Sequence, residues 1–329
     1  IHCSTYLGDL DSYENQQRFE SELKKWQPTE KDVEILADKH PNYGYQFIVP
    51  DNIKTVQHHH AHLMSVAAEY QLKPPFLGFA WDGIGLGDNN LLWGGETFLI
   101  KKDKTHHVSS LLPFSLPGGE KAIQQPKRMA FSLLYECYGK DCLQALPPSL
   151  KAQFEANMLL NLMKLLESKT HLPICTSIGR LFDGLSALLG LCYETTYEGQ
   201  GAILVEALAE EPIYHESYEV ILLEGANQTL LDWRPTFKAI LEDIKNECPS
   251  QKIASKFHGW LVAYLVKTAR PYDCPMVLSG GVFQNDILLS QTLTRLKALG
   301  KKVYAPKLIP CHDGGLAVGQ VYARLMREG

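Results

Sequence analysis

The sequence predicts an α/β fold, and two segments carry most of that prediction. An apolar run from Phe76 ends at Asp82 and is followed by glycines at every second position, as expected for a buried strand that enters a tight loop. A second apolar run, Met276 to Ser279, meets Gly280 and Gly281 and then a helical pattern. A strand that leads through a glycine loop into a helix, as in the second segment, is typical of α/β proteins, and 329 residues suit two medium domains or lobes.

The remaining elements follow from hydrophobic periodicity and turn residues. Trp93 to Ile100 is predicted as the returning strand of a hairpin whose turn is Asp88-Asn89-Asn90, and 218–223 and 229–231 form a second hairpin. The pair Pro147-Pro148 predicts a hinge between the two lobes. Helices are predicted over residues 12–26, 30–39, 126–138, 149–168, 180–190, 253–270, 286 onward and 316–326.

Composition restricts the class of protein. With 45% hydrophobic and 21% charged residues, the chain has the make-up of a soluble globular enzyme, and no apolar run approaches the roughly 20 residues that span a bilayer. The formal net charge of −5 argues against a broad nucleic-acid surface. Eight cysteines without a Cys-x-x-Cys pair, and no signal peptide after Ile1, indicate the reducing cytoplasm.

The run Gln57-His-His-His-Ala-His62 is the most specific chemical signal. It leads into a helical pattern, and residues four apart share a helix face, so His58 and His62 can direct ring nitrogens to one ion while His59 and His60 point elsewhere. Oxygen ligands from Asp82 or Asp313 would complete a mixed site suited to iron, zinc or manganese. A surface histidine cluster, an expression tag and, for Asp313, an ordinary helix cap are the alternatives.

The glycine loops are less specific. Gly280 and Gly281 could present backbone amides and a helix N-terminus to a phosphate, although paired glycines also occur in simple turns. The loop with Gly199 has no phosphate signature and is interpreted as a turn. Asp183 lies on a predicted helix and is interpreted from its pattern as a solvated or capping acid.

The ordered motifs together resemble the C-terminal catalytic region of the HypF carbamoyltransferases, which act in maturation of nickel-iron hydrogenases. The resemblance covers nearly the whole chain. The motifs are Gly8-Asp9-Leu10, Asp38-Lys-His-Pro-Asn-Tyr43, Gln57-His-His-His-Ala-His62, Asp82-Gly-Ile-Gly85, Trp93-Gly-Gly-Glu96, Leu116-Pro-Gly-Gly-Glu120, Thr176-Ser-Ile-Gly-Arg-Leu-Phe-Asp183, Tyr197-Glu-Gly199, Ser279-Gly-Gly-Val-Phe-Gln-Asn285 and His312-Asp-Gly-Gly315.

The resemblance implies an actin-like ATPase (ASKHA) superfold with two RNase H-like lobes, residues 1–145 and 146–329, and the active site between them. The last helix would return toward lobe one. The family pattern also includes an upstream glycine-rich hairpin of lobe one that this sequence starts too late to contain. Leu86 and the turn at 88–90 depart from the family pattern, and this affects only the fine shape of that loop.

The resemblance also implies roles for particular residues. A divalent metal, iron or zinc, would be held by His58, His62, Asp82 and Asp313, and His59 and His60 would be candidates for a general base or for support of the ligands. The adenine nucleotide would meet six residues: Gly179, Asp183, Gly199, Gly280, Gly281 and Asn285.

The implied reaction uses ATP as carbamoyl adenylate, which a separate adenylate-forming domain of the same protein makes. The carbamoyl group then passes to the C-terminal cysteine of HypE and AMP leaves, and neither nucleic acid nor membrane takes part. A tRNA threonylcarbamoyl transferase, which would need a basic surface for RNA, and a non-catalytic module that holds nucleotide or metal are the alternatives.

Overall fold

A computed structural model describes residues 7, 10, 12–26, 34–40, 53–168, 172–210 and 217–328. The α-helices are α1 Tyr13–Trp26, α2 His58–Glu69, α3 Glu120–Gln124, α4 Pro126–Tyr138, α5 Cys142–Ala145, α6 Pro148–Lys151, α7 Ala156–Ser168, α8 Ile178–Leu188, α9 Gln200–Leu208, α10 Arg234–Lys245, α11 Ser250–Ala269, α12 Asp286–Ala298 and α13 Leu316–Glu328. The strands are β1 Leu36–Asp38, β2 Lys54–Val56, β3 Phe76–Leu86, β4 Leu92–Ile100, β5 Thr105–Leu111, β6 Phe114–Ser115, β7 Ile174–Cys175, β8 Leu222–Glu224, β9 Thr229–Leu231, β10 Met276–Ser279 and β11 Val303–Tyr304.

A mixed nine-stranded sheet forms the centre of the described structure. Its strand order is β11-β10-β3-β4-β5-β9-β8, and β6 and β7 pair beside β4. Strands β3, β4 and β5 form an antiparallel meander, whereas β10 lies parallel to β3. The sheet therefore combines strands from both sides of residue 145, and the division into two sequential lobes stays a prediction.

The parallel pairing of β10 with β3 brings two distant loops together. Ser279 lies opposite Ala80, so the next residues, Gly280 and Gly281, follow at the same edge of the sheet as Trp81 and Asp82. Carboxyl ends of adjacent parallel strands are where α/β sheets present ligand-binding groups. This edge carries the site described below.

The residues of β3 alternate between two hydrophobic cores. Leu77, Phe79 and Trp81 belong to the larger core, whereas Phe76 and Ala80 belong to a smaller one beneath α2 and α13. Successive side chains of a strand point to opposite faces, so Asp82 falls on the α2 face. A Cβ at Gly78 would overlap Leu63 of α2, which shows how closely this helix lies on the strand.

Helix α13 packs directly on α2. A Cβ at Gly319 would overlap the carbonyl oxygen of Ala61, so the absence of a side chain there lets the two helices touch through their backbones. At the far end of α2, the Glu69 carboxylate accepts hydrogen bonds from the amides of Lys307, Leu308 and Ile309 at 3.1–3.2 Å. These contacts fix the chain that leads to Asp313.

Several predicted elements are confirmed, and one is wrong. The helix at 12–26, the Asp88–Asn90 turn with its returning strand, the helix at 126–138 and the strand at 276–279 are all present. The predicted helix over 30–39 is wrong where it can be judged: Leu36–Asp38 is a strand that pairs in parallel with Lys54–Val56, so sheet pairing overrides local helix preference there. Residues 30–33 lie outside the described residues.

Other predicted boundaries shift. The helix over 149–168 is two helices, α6 and α7, and the strand predicted over 218–223 begins only at Leu222 and ends at Glu224. Gly280 and Gly281 lead first into a 3-10 turn, Gly281–Gln284, and only then into α12. Among the described helices, none combines the length and hydropathy required to cross a bilayer.

Candidate metal centre

Helix α2 presents two imidazoles on one face. Gln57 caps the helix by accepting a hydrogen bond from the His60 amide at 2.8 Å, so the helix starts at His58 and places His62 one turn later. Both imidazoles are fully buried, and their Nε2 atoms lie 3.2 Å apart. Two ring nitrogens therefore converge on one point, as the spacing predicts.

Asp82 joins the two imidazoles from the end of β3. Its Oδ2 lies 3.1 Å from His58 Nε2 and 3.2 Å from His62 Nε2. Its Oδ1 accepts a hydrogen bond from the Gly281 amide at 3.0 Å. The amide from the neighbouring strand end thus occupies one carboxylate oxygen and leaves the other facing the histidines.

Asp313 approaches from the turn that precedes α13. Its Oδ1 lies 3.7 Å from His58 Nε2 and 3.4 Å from His62 Nε2, and the side chain is 60% exposed. One ligand atom from each of the four residues lies within 4.8 Å of the others. The fourth side of the cluster is thus the one that faces solvent.

The donor set and spacing fit a divalent metal. An ion with ligand distances of about 2.0–2.1 Å in a tetrahedron separates its ligand atoms by about 3.3 Å. The five distances given above, 3.1–3.7 Å, are close to that value. Two imidazole nitrogens and two carboxylate oxygens suit zinc, iron or manganese. His58, His62, Asp82 and Asp313 would hold the ion, and their role as ligands stays a prediction.

The electrostatics of the cluster favour a cation. Burial alone would lower the pKa of His58, but hydrogen bonds to Asp38 and Asp82 outweigh it and raise that pKa to about 10. Burial acts in the same way on His62, where bonds to Asp313 and Asp82 raise the pKa. Burial would raise the pKa of Asp82, and the two histidines hold it well below its usual value. Carboxylates thus favour positive charge at the point where the ring nitrogens meet.

Asp38 was missed as a site residue by the sequence analysis. The Nδ1–H of His58 donates to Asp38 Oδ2 at 2.7 Å, and Asp38 is 6% exposed. A carboxylate on Nδ1 fixes the ring and directs Nε2 toward the other ligands. In the sequence, Asp38 is only the first residue of a motif that carries the family resemblance. It lies 20 residues before His58 in a segment predicted as helix, so this contact was not predicted.

Replacement of Asp38 by alanine should weaken metal binding while the ligands themselves stay in place. Loss of the carboxylate that orients a ligating histidine typically costs about 10- to 100-fold in metal affinity. We expect this loss for Zn²⁺ in competition with a chromophoric chelator. Asp103→Ala, an exposed acid in the β4–β5 turn, is the matched control. Equal affinity in the two variants would show that Asp38 does not orient His58.

His59 and His60, the predicted catalytic histidines, are not among the four residues whose ligand atoms converge, although the ring of His59 packs edge-on against that of His58 with centroids 5.2 Å apart. His59 is fully buried, Gln57 Nε2 donates to its Nδ1 at 3.2 Å, and its ring packs 5.9 Å from that of Trp93. Burial holds its pKa well below the usual value. His60 lines a separate cavity of about 390 Å³ together with Met64. Their catalytic role stays a prediction, and the structure brings neither ring into the cluster.

The predicted nucleotide residues on the β10 side occupy defined structural positions. Gly280 has φ of +103°, and a Cβ there would overlap the Trp81 carbonyl, so only glycine fits. Asn285 caps α12 by accepting from the Leu288 amide at 2.8 Å, and its Nδ2 donates to His258 at 2.9 Å. Gly280 therefore lies against the strand end that carries Asp82, whereas the contacts of Asn285 are with α12 and with His258 of α11. Nucleotide binding by these two residues and by Gly281 stays a prediction.

The remaining nucleotide candidates lie around the Asp82–Gly83 loop. A Cβ at Gly179 would come within 3.0 Å of Gly83 Cα, so α8 begins against this loop. The interpretation of Asp183 as a solvated or capping acid is wrong, because it is 2% exposed and lies 3.0 Å from Arg180 Nη2. Burial raises the pKa of Asp183 to about 6. Gly199 has φ of +75° at the start of α9, and no described atom would contact a Cβ there.

Comparison with protein families identifies the chain. Residues 78–320 match the family described as "Carbamoyltransferase, Kae1-like Domain, second subdomain", and residues 1–69 match the "HypF Kae1-like domain". The chain belongs to the HypF carbamoyltransferase family. The family resemblance predicted from the ordered motifs is therefore confirmed.

Relatives from bacteria support the same assignment. The chain is 34% identical to the carbamoyltransferase HypF of Synechocystis sp. over 346 aligned positions, covering 98% of this chain and 44% of the relative. It is 31% identical to HypF of Rhizobium leguminosarum bv. viciae, covering 98% of this chain and 42% of the relative. The chain thus spans less than half the length of these family members.

Two solved HypF structures share the fold. A crystal structure of full-length HypF in a phosphate- and nucleotide-bound form matches with a TM-score of 0.90 and 29% identity, covering 99% of this chain and 44% of that one. The T. kodakarensis HypF structure matches with a TM-score of 0.86 and 25% identity, covering 98% of this chain and 44% of that one. The mixed α/β fold of this chain is therefore that of the corresponding part of HypF.

Proposed function

We propose that this chain transfers a carbamoyl group from carbamoyl adenylate to the C-terminal cysteine of HypE, a step in synthesis of the cyanide ligands of nickel-iron hydrogenases. An adenylate-forming domain of the same protein would supply the donor, and the transfer would take place between two actin-like lobes. The observation that carries the proposal is the convergence of His58, His62, Asp82 and Asp313 in a member of the HypF family.

The proposed chemistry needs little from the protein beyond position and charge. The acceptor cysteine loses its proton to solvent and attacks as a thiolate. A C–S bond forms at the carbamoyl carbon, and the bond from that carbon to the phosphate oxygen breaks, so AMP leaves with the electron pair. A divalent ion, when bound, would polarise the carbamoyl carbonyl as a Lewis acid.

The residues of this chain prepare that geometry. Asp38 accepts a hydrogen bond from His58 Nδ1, and the Gly281 amide donates one to Asp82 Oδ1. The remaining atoms, His58 Nε2 and Asp82 Oδ2, are therefore held in position before a metal ion binds. The 60% exposure of Asp313 leaves the cluster open on one side, where a donor and a thiol could enter. The other three proposed ligands, His58, His62 and Asp82, are buried, so water would reach the reacting carbonyl only from the open side.

The proposal is tested by supplying carbamoyl adenylate, or a separately prepared adenylate-forming domain with carbamoyl phosphate and ATP, together with HypE. We expect mass spectrometry to show one carbamoyl increment on the C-terminal peptide of HypE. Asp82→Asn should abolish the increment and Asp103→Asn, an exposed control, should retain it. Absence of the increment with metal-loaded wild type, or full activity of Asp82→Asn, would contradict the proposal.

A further inference from the structure

Arg180 has a buried positive charge that the described residues do not fully match. The residue is 5% exposed and lies in the first turn of α8. Its Nη2 lies 3.0 Å from Asp183 Oδ2, but among the described residues its Nε and Nη1 have no hydrogen-bond partner. Asp183 therefore pairs with the charge of the guanidinium, and its Oδ2 has no hydrogen-bond partner among the described residues either, so it does not satisfy the donors of Arg180.

This guanidinium lies against the loop that carries Asp82. Ser177 Oγ accepts from the Arg180 amide at 3.2 Å and donates to the Asp82 carbonyl at 2.9 Å, which ties the start of α8 to the end of β3. Arg180 Nη2 lies 3.9 Å from the position that a Cβ would take at Gly83. Since Gly83 has no side chain, nothing from that residue covers the guanidinium. The guanidinium of Arg180 thus lies beside Gly83, the residue that follows the proposed metal ligand Asp82.

The chemistry of arginine limits what can complete this arrangement. A guanidinium stays charged in proteins and carries five N–H donors in a rigid plane. Burying such donors without acceptors is unfavourable, so an acceptor that is not part of the described residues is expected to meet them. Phosphate oxygens fit the planar fork, and the N-terminus of α8 favours an anion at the same place.

We propose that Arg180 binds the phosphate of the adenylate beside Asp82 and that it balances the charge that this phosphate gains when AMP leaves. The identity of the ligand rests on the proposed function, whereas the need for an oxyanion rests on the guanidinium itself. Glu198 is the competing acceptor, because its Oε1 lies 3.8 Å from the same Cβ position at Gly83 and its side chain is exposed.

The test compares AMP with adenosine, which differ only in the phosphate. Calorimetry in the presence of Zn²⁺ would give dissociation constants for wild type, Arg180→Met, Arg180→Lys and Arg270→Met, the last an exposed arginine at the end of α11. We expect Arg180→Met to weaken AMP binding by about 10- to 100-fold, the loss typical of a hydrogen bond to a charged group. Adenosine binding and zinc content should stay at the wild-type level, and Arg270→Met should match wild type.

The outcomes separate this inference from the proposed function. Arg180→Lys keeps the positive charge, so it should lose less affinity for AMP than Arg180→Met does. If Arg180→Met does not fold, the affinity of Arg180→Lys for AMP is the deciding measurement. An unchanged ratio of AMP to adenosine affinity in the folded variant, or no AMP binding by wild type, would overturn the inference. The competing outcome is that Glu198→Gln changes the stability of the Arg180 variants while the ratio of AMP to adenosine affinity stays the same. Arg180 would then be a structural residue that pairs with Glu198. A phosphate preference that depends on Arg180 would stand even if transfer to HypE failed.

Discussion

His62→Ala is expected to abolish stoichiometric metal binding while the fold is retained. The variant removes one of the two buried nitrogens that lie 3.2 Å apart and leaves His58, Asp82 and Asp313 to hold the ion. Changes that merely misorient a ligand cost about 10- to 100-fold in affinity, so loss of a ligand should exceed about 100-fold. Metal content by mass spectrometry and a Zn²⁺ titration would measure the loss, and circular dichroism would check the fold.

His60→Ala is the matched control for this experiment. It removes the same side chain from the same helix, but His60 lines the separate cavity beside Met64. We therefore expect it to bind metal as wild type does. Stoichiometric metal in His62→Ala, or equal loss in both variants, would show that the four-residue cluster is not the metal site.

Gly319→Val is expected to destabilise the protein and to weaken metal binding together. Even a Cβ at this position would overlap the Ala61 carbonyl, so valine must push α13 away from α2. Overpacking of this kind typically costs about 1–3 kcal/mol of unfolding free energy, and valine at a backbone contact should reach about 3 kcal/mol. Because Asp313 lies just before α13 and His62 lies one residue after Ala61, the same displacement should separate two proposed ligands.

Denaturant unfolding and a Zn²⁺ titration would measure both effects of Gly319→Val. Ala317→Val is the control, since it adds the same side-chain type at an exposed position on the same helix and should cost only about 0.5 kcal/mol of helix preference. If Gly319→Val matched this control in stability, the contact between the two helix backbones would not be as close as described. If stability fell but metal affinity did not, α13 would not position Asp313.

The sequence by itself determined those features that depend on local spacing. Residues four apart on a helix share a face, so the convergence of His58 and His62 could be predicted without any tertiary information. The strand that ends at Asp82 and the paired glycines after Ser279 were equally readable from apolar runs and glycines. The family followed from the order of the motifs, and the comparisons confirmed it.

Tertiary structure alone decided the contacts between residues that are distant in the chain. Parallel pairing of β10 with β3 brings the Gly281 amide to Asp82, 199 residues earlier in the chain. Pairing of β1 with β2 makes a strand of a segment predicted as helix, and this strand places Asp38 beside His58. The sequence pattern predicts a solvated acid at Asp183, because its neighbours in sequence do not reveal that Arg180 and the surrounding core bury it. Local patterns specify the face of an element, whereas the partner of that face is set by packing and sheet pairing over the whole chain.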